Sequence, residues 1–561
     1  MQSRDALLDR LEDGAEIDVL IVGGGINGVG LYRDLAAQGC AALLVEREDF
    51  GAGTSAAPSR LIHGGLRYLE TGEFALVRES VEERNLLLRN APHTVTPIPV
   101  WLPLVSRFAG LLSAPARFLH LVRKPGHKGA IVTKIGLLLY DWMGKRWRSM
   151  PRHRMIAGKR ARAELPGLAE DFCSVAEYYD ARISHPERLV AELVADAESD
   201  QPRAMAIPYL AVAGCDAGAV VLRDVLTDRT WRVAPKQVVN TAGAWADRVN
   251  ALLGIEDRLI GGTKGSHLVV RSPDLAARLG ARMLYFETFD QRLCLIYRLD
   301  GDLLFLGTTD LRCDEPDLCV CSEEEIDYIF DVTRRVLPGA RLDREDIVLR
   351  VSGVRPLPLS KAGATGAISR DHSFKTFPAE PRRPFPVITL VGGKWTTYRA
   401  CAAQLADDVL AGQGEHRRSD TRGLAIGGGR DWPEGGAAAL TAEIAAESGL
   451  GKARVRLLVQ RYGSGARQLA ETIATQGDRP LASAPSYCEA EIAYLVRQER
   501  VTRLTDIALR RSLMAFEGLL SDATVAALAE IAGRELGWDA ARRAAEIDHL
   551  RRDLSKRNGI T

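Results

Sequence analysis

An apolar run, Asp18-Val-Leu-Ile-Val22, leads directly into Gly23-Gly-Gly25-Ile-Asn-Gly28, and no other stretch constrains the fold of this chain as tightly. Such a run suits a strand buried on both faces of a parallel sheet. The glycines permit a sharp turn, close approach of backbone to a ligand, and tight packing of the following helix on the strand. That helix is expected to pass through Leu35 and Ala37 and to stop near Gly39, because glycine is favoured just beyond helix ends. A second buried run, Ala42-Leu-Leu-Val45, delivers Glu46 at its end, 18 residues after Gly28. A diphosphate at the helix N-terminus would meet free N–H groups and the positive end of the dipole. The Glu46 carboxylate is placed to accept bonds from ribose hydroxyls. Strand, turn, helix, strand and acid together predict dinucleotide binding, which the bare glycine spacing would not.

Further along, Gln237-Val-Val-Asn240, His267-Leu-Val-Val270 and Leu303-Leu-Phe-Leu306 read as strands alternating with helical segments. They predict one α/β body with interleaved insertions over residues 1–411, rather than a string of small modules. Residues 412–437, rich in Gly, Arg and Asp, read as a linker. Beyond them Glu489 to Phe516 and Ser521 to Lys556 carry apolar residues at three- and four-residue spacing, so residues 438–561 are expected to form a helical domain. The length of 561 residues accommodates this division at roughly 100–200 residues per domain. With 74 Lys+Arg against 73 Asp+Glu, the net charge of +1 gives no global attraction to nucleic acid.

Nine scattered cysteines read as reduced thiols of a cytosolic compartment, with Cys313, Cys319 and Cys321 as ordinary loop residues and no metal expected. The charged start, Met1 to Arg10, has no apolar core for a secretory signal. The apolar run Ile131 to Met143 is interrupted by Lys134 and Asp141 and falls short of the roughly 20 residues a spanning helix needs.

Two later motifs extend the dinucleotide site. Thr241-Ala-Gly243 follows an apolar strand, much as the strand-end motif of flavoproteins with two dinucleotide folds does. Val391-Gly-Gly-Lys394-Trp-Thr-Thr397 leads into the helical pattern Tyr398 to Leu410, which Thr396 or Thr397 could cap. The N-terminus of that helix could face a flavin and favour the anion of its reduced form, and an ordinary capped structural helix fits the same residues.

The chemistry is densest in Thr54-Ser-Ala-Ala-Pro58-Ser-Arg60-Leu-Ile-His63-Gly-Gly-Leu-Arg67-Tyr68-Leu-Glu70. His titrates near neutrality, so His63 could take a proton from an alcohol as hydride leaves its carbon. The Arg67 fork fits phosphate bidentately. Arg355, between a glycine and a proline, has a stiffly held backbone, while Arg370 and Lys394 add cations. A dianionic phosphate calls for several such donors, and a neutral amine does not.

These segments, with Tyr179-Asp-Ala-Arg182, Lys264-Gly-Ser-His267, Gly307-Thr-Thr-Asp310, Ser352-Gly-Val-Arg-Pro-Leu357 and Gly392-Gly-Lys-Trp-Thr-Thr-Tyr-Arg399, resemble the FAD-dependent, respiratory glycerol-3-phosphate dehydrogenases. The resemblance implies an α/β two-dinucleotide-binding-type FAD oxidoreductase fold with an interleaved substrate cap and an all-α C-terminal domain. It implies oxidation of sn-glycerol 3-phosphate to dihydroxyacetone phosphate, with hydride passing from C2 to flavin N5 and electrons to a membrane quinone. Carried over by position, Arg67, Tyr68, Arg370 and Lys394 would surround the substrate, with His63 and Arg355 as rival claimants for assisting proton removal. The implied cofactor set is Gly23, Gly25, Ile26, Asn27, Gly28, Glu46, Thr54, Ser55, Arg60, Leu61, Gly243, Gly393, Lys394, Trp395 and Thr396. Pro58 and Arg60 depart from the Ser and Lys common in the family, and Lys264 and His267 match its pattern without an assigned role.

A quinone acceptor requires access to lipid. Residues 101–150 hold nine Lys/Arg (107, 117, 123, 124, 128, 134, 145, 146 and 148) and one acid, Asp141, among apolar residues such as Trp101, Phe108 and Leu112. That mixture suits an interfacial surface on anionic lipid, hence a cytoplasmic protein held peripherally at the inner face of the cell membrane, with a homodimer possible. Two other outcomes fit the chain: an oxidase of the same fold that yields hydrogen peroxide, and a catalytically silent flavoprotein that docks on membranes.

Overall fold

The computed structural model describes residues 1–69, 72–109, 129–144, 150–290, 292–360 and 371–560, except the side chains of Arg67 and Tyr68. The predicted opening is present: strand β1 (Val19–Val22), helix α1 (Ile26–Ala37) and strand β2 (Ala42–Glu46). The chain continues through β3 (Leu61–Ile62), α2 (Phe74–Asn90), β4 (Val95–Leu104), α3 (Ala130–Gly144), β5 (Ser174–Ile183), α4 (Pro186–Asp200) and β6 (Met205–Pro208). Strands β7 (Gln237–Asn240), β8 (Thr263–Arg271), β9 (Met283–Glu287), β10 (Leu293–Asp300) and β11 (Leu303–Gly307) follow. After them come α5 (Glu323–Val336), β12 (Ile347–Arg355), β13 (Ser373–Phe377), β14 (Val387–Val391) and α6 (Tyr398–Gly412).

One sheet runs β13-β14-β7-β1-β2-β6, parallel except for the antiparallel edge pair β13 and β14. Alternation along β1 divides its side chains between two cores. Val19 and Ile21 pack with α1, α4 and α6, whereas Leu20 and Val22 pack with Leu7, Trp231 and Phe385 on the other face. Burial on both faces is why the strand reads as a continuous apolar run. In the second, mixed sheet, β8 lies antiparallel between β11 and β12, and the path continues through β10, β9, β4, β5 and β3. This sheet carries the predicted strands at His267 and Leu303.

From Gly436 onward the chain is mainly helical and has its own apolar core, built by residues such as Leu440, Leu458, Ile492, Leu528 and Leu550. The expected helices are broken where local chemistry demands it. Gly537 takes a left-handed conformation between Asp522–Leu536 and Ala540–Asp553, and a small hairpin, Pro480–Leu481 with Ala484–Cys488, interrupts the helical run. The helical part is bolted to the body by buried charge. Asp49 receives Arg510 at 2.9 Å and Arg511 at 2.6 Å, while Tyr209 donates to Asp506 at 2.5 Å.

Residues 412–437, expected as a linker, lie along the body. Arg417 and Thr421 bond Asp34, and the Gly427 N–H bonds Asp196 at 3.0 Å. The expectation of reduced thiols is corrected for one pair: a turn at Pro316–Leu318 brings Cys313 and Cys319 together as a disulfide, while Cys321 is a buried free thiol.

Candidate active site

The turn after β1 is as tight as the glycine spacing demands. A Cβ on Gly28 would lie 2.0 Å from the Gly23 carbonyl oxygen and 2.5 Å from Thr241 Oγ1, so α1 starts directly against the ends of β1 and β7. No side chain caps the N-cap residue Gly25, and the Ile26 N–H donates to Ser55 Oγ at 2.9 Å. Glu46 is half-buried, and one of its carboxylate oxygens accepts the Gly24 N–H at 2.7 Å while the other accepts that of Glu48 at 2.9 Å. Burial outweighs these two donors and raises its pKa. Each oxygen keeps acceptor capacity for a sugar hydroxyl.

A single cavity of about 1830 Å³ runs from this turn across the body. Gly23, Gly25, Ile26, Asn27, Glu46, Thr54, Ser55, Leu61, Gly243, Gly393, Lys394, Trp395 and Thr396 line it, as does His63. An open helix N-terminus and an acid at the strand end, both on the wall of one large cavity, fit a dinucleotide. The cavity wall is braced from several chain segments. Trp395 Nε1 donates to the Ser55 carbonyl at 3.1 Å, and Thr54 Oγ1 donates to the Val354 carbonyl at 2.6 Å. Thr397 is the N-cap residue of α6, yet no side chain caps that helix, so the expected threonine cap is absent.

His63 and Arg355 line the same cavity. The residue after His63 is pinned: the Gly64 N–H donates to Asp180 at 3.0 Å, and Asp180 also receives Arg84 at 2.7 Å and Tyr140 at 2.6 Å. Arg355 ends β12, whose register sets Gly265 of β8 opposite Gly353. A Cβ on Gly265 would lie 2.2 Å from Arg355 Nη2, so this glycine makes room for the guanidinium. The guanidinium then donates to Asp310 at 3.2 Å and to Thr308 Oγ1 at 3.4 Å.

Behind Arg355, Glu325 of α5 gathers Lys264 at 2.6 Å, Ser266 at 2.9 Å and Thr309 at 2.6 Å. His267 lines the cavity, stacks on Phe305 and is only 2% exposed; burial and the nearby Arg355 push its pKa down to about 3, so it stays neutral.

One predicted cofactor residue lies elsewhere. Arg60 has positive φ and turns its guanidinium into the seam with the helical domain. There it stacks 3.8 Å over Phe516, bonds the Ser184 carbonyl and lies 3.7 Å from Glu187, so it sits behind cavity-lining residues rather than on the lining itself. Arg370 and the side chains of Arg67 and Tyr68 fall outside the described residues. Sequence reasoning missed Asp310 and Glu325 as partners of the cationic end. Asp310 closes the Gly307-Thr-Thr-Asp310 string, which was the available signal; Glu325 gave only a capping-box signal after Ser322.

Residues 18–406 match the family described as FAD dependent oxidoreductase, and residues 419–543 match the C-terminal domain of alpha-glycerophosphate oxidase. A glycerol-3-phosphate dehydrogenase of Synechocystis is 34% identical over 531 residues, covering 89% of each chain. A D-erythritol 1-phosphate dehydrogenase of Brucella abortus is 30% identical over 511 residues, covering 88% of this chain and 94% of the relative. The solved glycerol-3-phosphate dehydrogenase of Bacillus halodurans, complexed with FAD, superimposes with a TM-score of 0.75 at 24% identity, over 99% of this chain and 98% of that one.

Proposed function

Since this chain belongs to the FAD-dependent glycerol-3-phosphate dehydrogenase/oxidase family of the FAD oxidoreductases, we propose that it oxidises sn-glycerol 3-phosphate to dihydroxyacetone phosphate and passes the electrons to a membrane quinone. One observation carries the reading: His63, Arg355 and Lys394 line the same cavity as the dinucleotide cradle. FAD, when bound, supplies the two-electron acceptor for the hydride that leaves C2.

The residues of this chain hold the substrate and move its proton. Lys394 and Arg355 give charge-assisted donors to the phosphate end and to the C2 oxygen, with Arg67, Tyr68 and Arg370 as further ligands carried over from the family. His63 accepts the C2 hydroxyl proton, and the positive charge of Arg355 favours the alkoxide that forms. Asp310 fixes the direction in which Arg355 donates, and burial of the cavity walls keeps that interaction strong.

The membrane part of the reading rests on α3. Ile135, Leu138 and Trp142 on this helix are 61%, 54% and 67% exposed, and Phe108 adds another exposed ring. Ile135 and Leu139 also line the cavity, so the apolar face and the active site share a wall. No helix among the described residues is long and apolar enough to cross a membrane, and the reading is of interfacial docking at the cytoplasmic face. The match of residues 419–543 to an oxidase domain favours a second reading, in which oxygen takes the electrons and hydrogen peroxide forms.

The test is turnover of glycerol 3-phosphate by the purified holoprotein, with dihydroxyacetone phosphate, quinone-dye reduction and peroxide measured in parallel. Dye reduction without stoichiometric peroxide supports the quinone acceptor. Peroxide equal to product supports the oxidase. Product from neither overturns both.

A further inference from the structure

The Glu46 end of the cavity is completed by a loop to which the chemistry above assigns no task. The Cys313 N–H donates to the Gly262 carbonyl at 3.0 Å, the chain turns at Pro316–Leu318, and Cys319 closes onto Cys313 as a disulfide. At the tip of this ring stands Asp317. Its carboxylate receives Arg47 at 2.6 Å, Trp245 Nε1 at 2.8 Å and one guanidinium nitrogen of Arg248. A second nitrogen of Arg248 bonds Glu315 at 2.6 Å.

Arg47 directly follows Glu46, and its guanidinium lies 4.7 Å over the Trp245 ring; Trp245 lies two residues beyond Gly243. The end of β2, the turn after β7 and the disulfide loop thus converge on one carboxylate, and Arg47, Trp245, Arg248, Asp317 and Cys319 all line the cavity. The three donors hold the Asp317 carboxyl low, down to about 2, against the opposing effect of burial.

Each of these ion pairs is partly exposed and individually weak, since Asp317 and Arg47 keep about 40% of their side-chain surface in solvent. What makes the set effective is the ring. Closing the loop on itself removes conformations in which the Asp317 carboxylate would swing away, so less entropy is lost when it meets its donors.

We propose that residues 313–319 form a thiol-closed clasp over the adenosine half of the bound FAD, with Asp317 as its latch. The oxidised pair retains the dinucleotide, and reduction lets it leave faster. The proposal rests on the family's cofactor and on the Glu46 end of the cavity holding its ribose, and it does not depend on the substrate. Opening needs a dithiol reductant. One of its thiolates attacks a cysteine sulfur, the S–S bond breaks, and the reductant's second thiol displaces the mixed disulfide. Two electrons and two protons end on Cys313 and Cys319, and the reductant leaves as its own disulfide.

The experiment follows release of FAD from the holoprotein by flavin fluorescence, before and after treatment with dithiothreitol, with thiols titrated in each sample. Reduction should expose two further thiols and speed release about tenfold, the scale of one charge-assisted hydrogen bond. Cys313→Ser should release FAD at the fast rate whether or not reductant is present, and Asp317→Asn should do so with the disulfide intact. Unchanged release after two new thiols appear would overturn the clasp. So would a holoprotein that shows no reducible pair even after mild oxidation. Turnover of glycerol 3-phosphate by the wild type is a separate readout: its absence would remove the substrate assignment and leave the clasp standing.

Discussion

Arg355, the last residue of β12, and Asp310, just beyond β11, hold their side chains 3.2 Å apart on the wall of the cavity. The two strands are not neighbours; each pairs with β8, on opposite sides. Asp310 therefore fixes where Arg355 points, and it neutralises part of a charge that would otherwise draw any anion. Asp310→Asn keeps the shape and removes the charge. We expect kcat/KM for glycerol 3-phosphate to fall about ten- to a hundredfold, the range for losing a hydrogen bond to a charged group at about 1.5–3 kcal/mol. The visible absorbance of bound flavin should not change. Normal kinetics would show that Arg355 needs no such guide.

Glu325 holds the frame on which that pair is mounted. It ties Lys264 and Ser266 of β8 to Thr309 beyond β11, and Ser266 in turn meets Ser352 of β12 at 2.7 Å. Removing one partner of a buried ion pair leaves the other uncompensated. Glu325→Gln should cost about 3–5 kcal/mol in stability, read from denaturant unfolding of the holoprotein. A loss below about 1 kcal/mol, the value for an exposed pair, would mean that the network is not structural.

The parts of this arrangement that were legible in the sequence are those whose demands are local. Gly23 to Gly28 and Glu46 lie within one βαβ unit, and their roles follow from backbone contacts inside it. The strands around Gln237, His267 and Leu303 announced themselves by apolar runs. Arg355 and Asp310 meet only through the register of β8 with its two neighbours, and Lys264 and Glu325 only through the packing of α5 beside β8, neither of which a local pattern encodes. The contact of Arg60 with Phe516 is hidden from local pattern for a related reason: Phe516 belongs to the helical domain, more than 400 residues along the chain. The composition of the Gly/Arg/Asp-rich stretch at 412–437 does not reveal that Asp34 and Asp196 receive its donors.

Asp196 gives that docked stretch a pH signature. Burial pushes its carboxyl up to about 6, while Arg33, the Gly427 N–H and Arg430 pull the other way. The folded value is raised above the unfolded one, so the protonated group favours folding. Its contribution is complete below the ordinary Asp range of about 3.9 and is lost as pH rises through about 6. Asp196→Asn, which keeps an acceptor for Gly427, should gain on the wild type by about 2–3 kcal/mol between about pH 4 and pH 7. Paired thermal melts across that range check it, and a gap independent of pH would contradict it.

The apolar face of α3 predicts where the protein resides. Ile135→Lys with Trp142→Lys places charges on the exposed side of the helix, away from its buried residues Leu137 and Tyr140. Binding to anionic vesicles in a flotation assay should fall about tenfold or more, since each change removes a large apolar side chain from the lipid interface. Unchanged flotation would exclude this face.

The most direct measurement is anaerobic stopped-flow mixing of the oxidised holoprotein with sn-glycerol 3-phosphate, glycerol or glycine. The account predicts rapid loss of the flavin's visible absorbance with glycerol 3-phosphate alone, and at least about a hundredfold slower loss for Arg355→Ala, the scale of a removed donor to developing oxyanion charge. Equal bleaching by glycerol, or none by glycerol 3-phosphate with FAD fully bound, would contradict it.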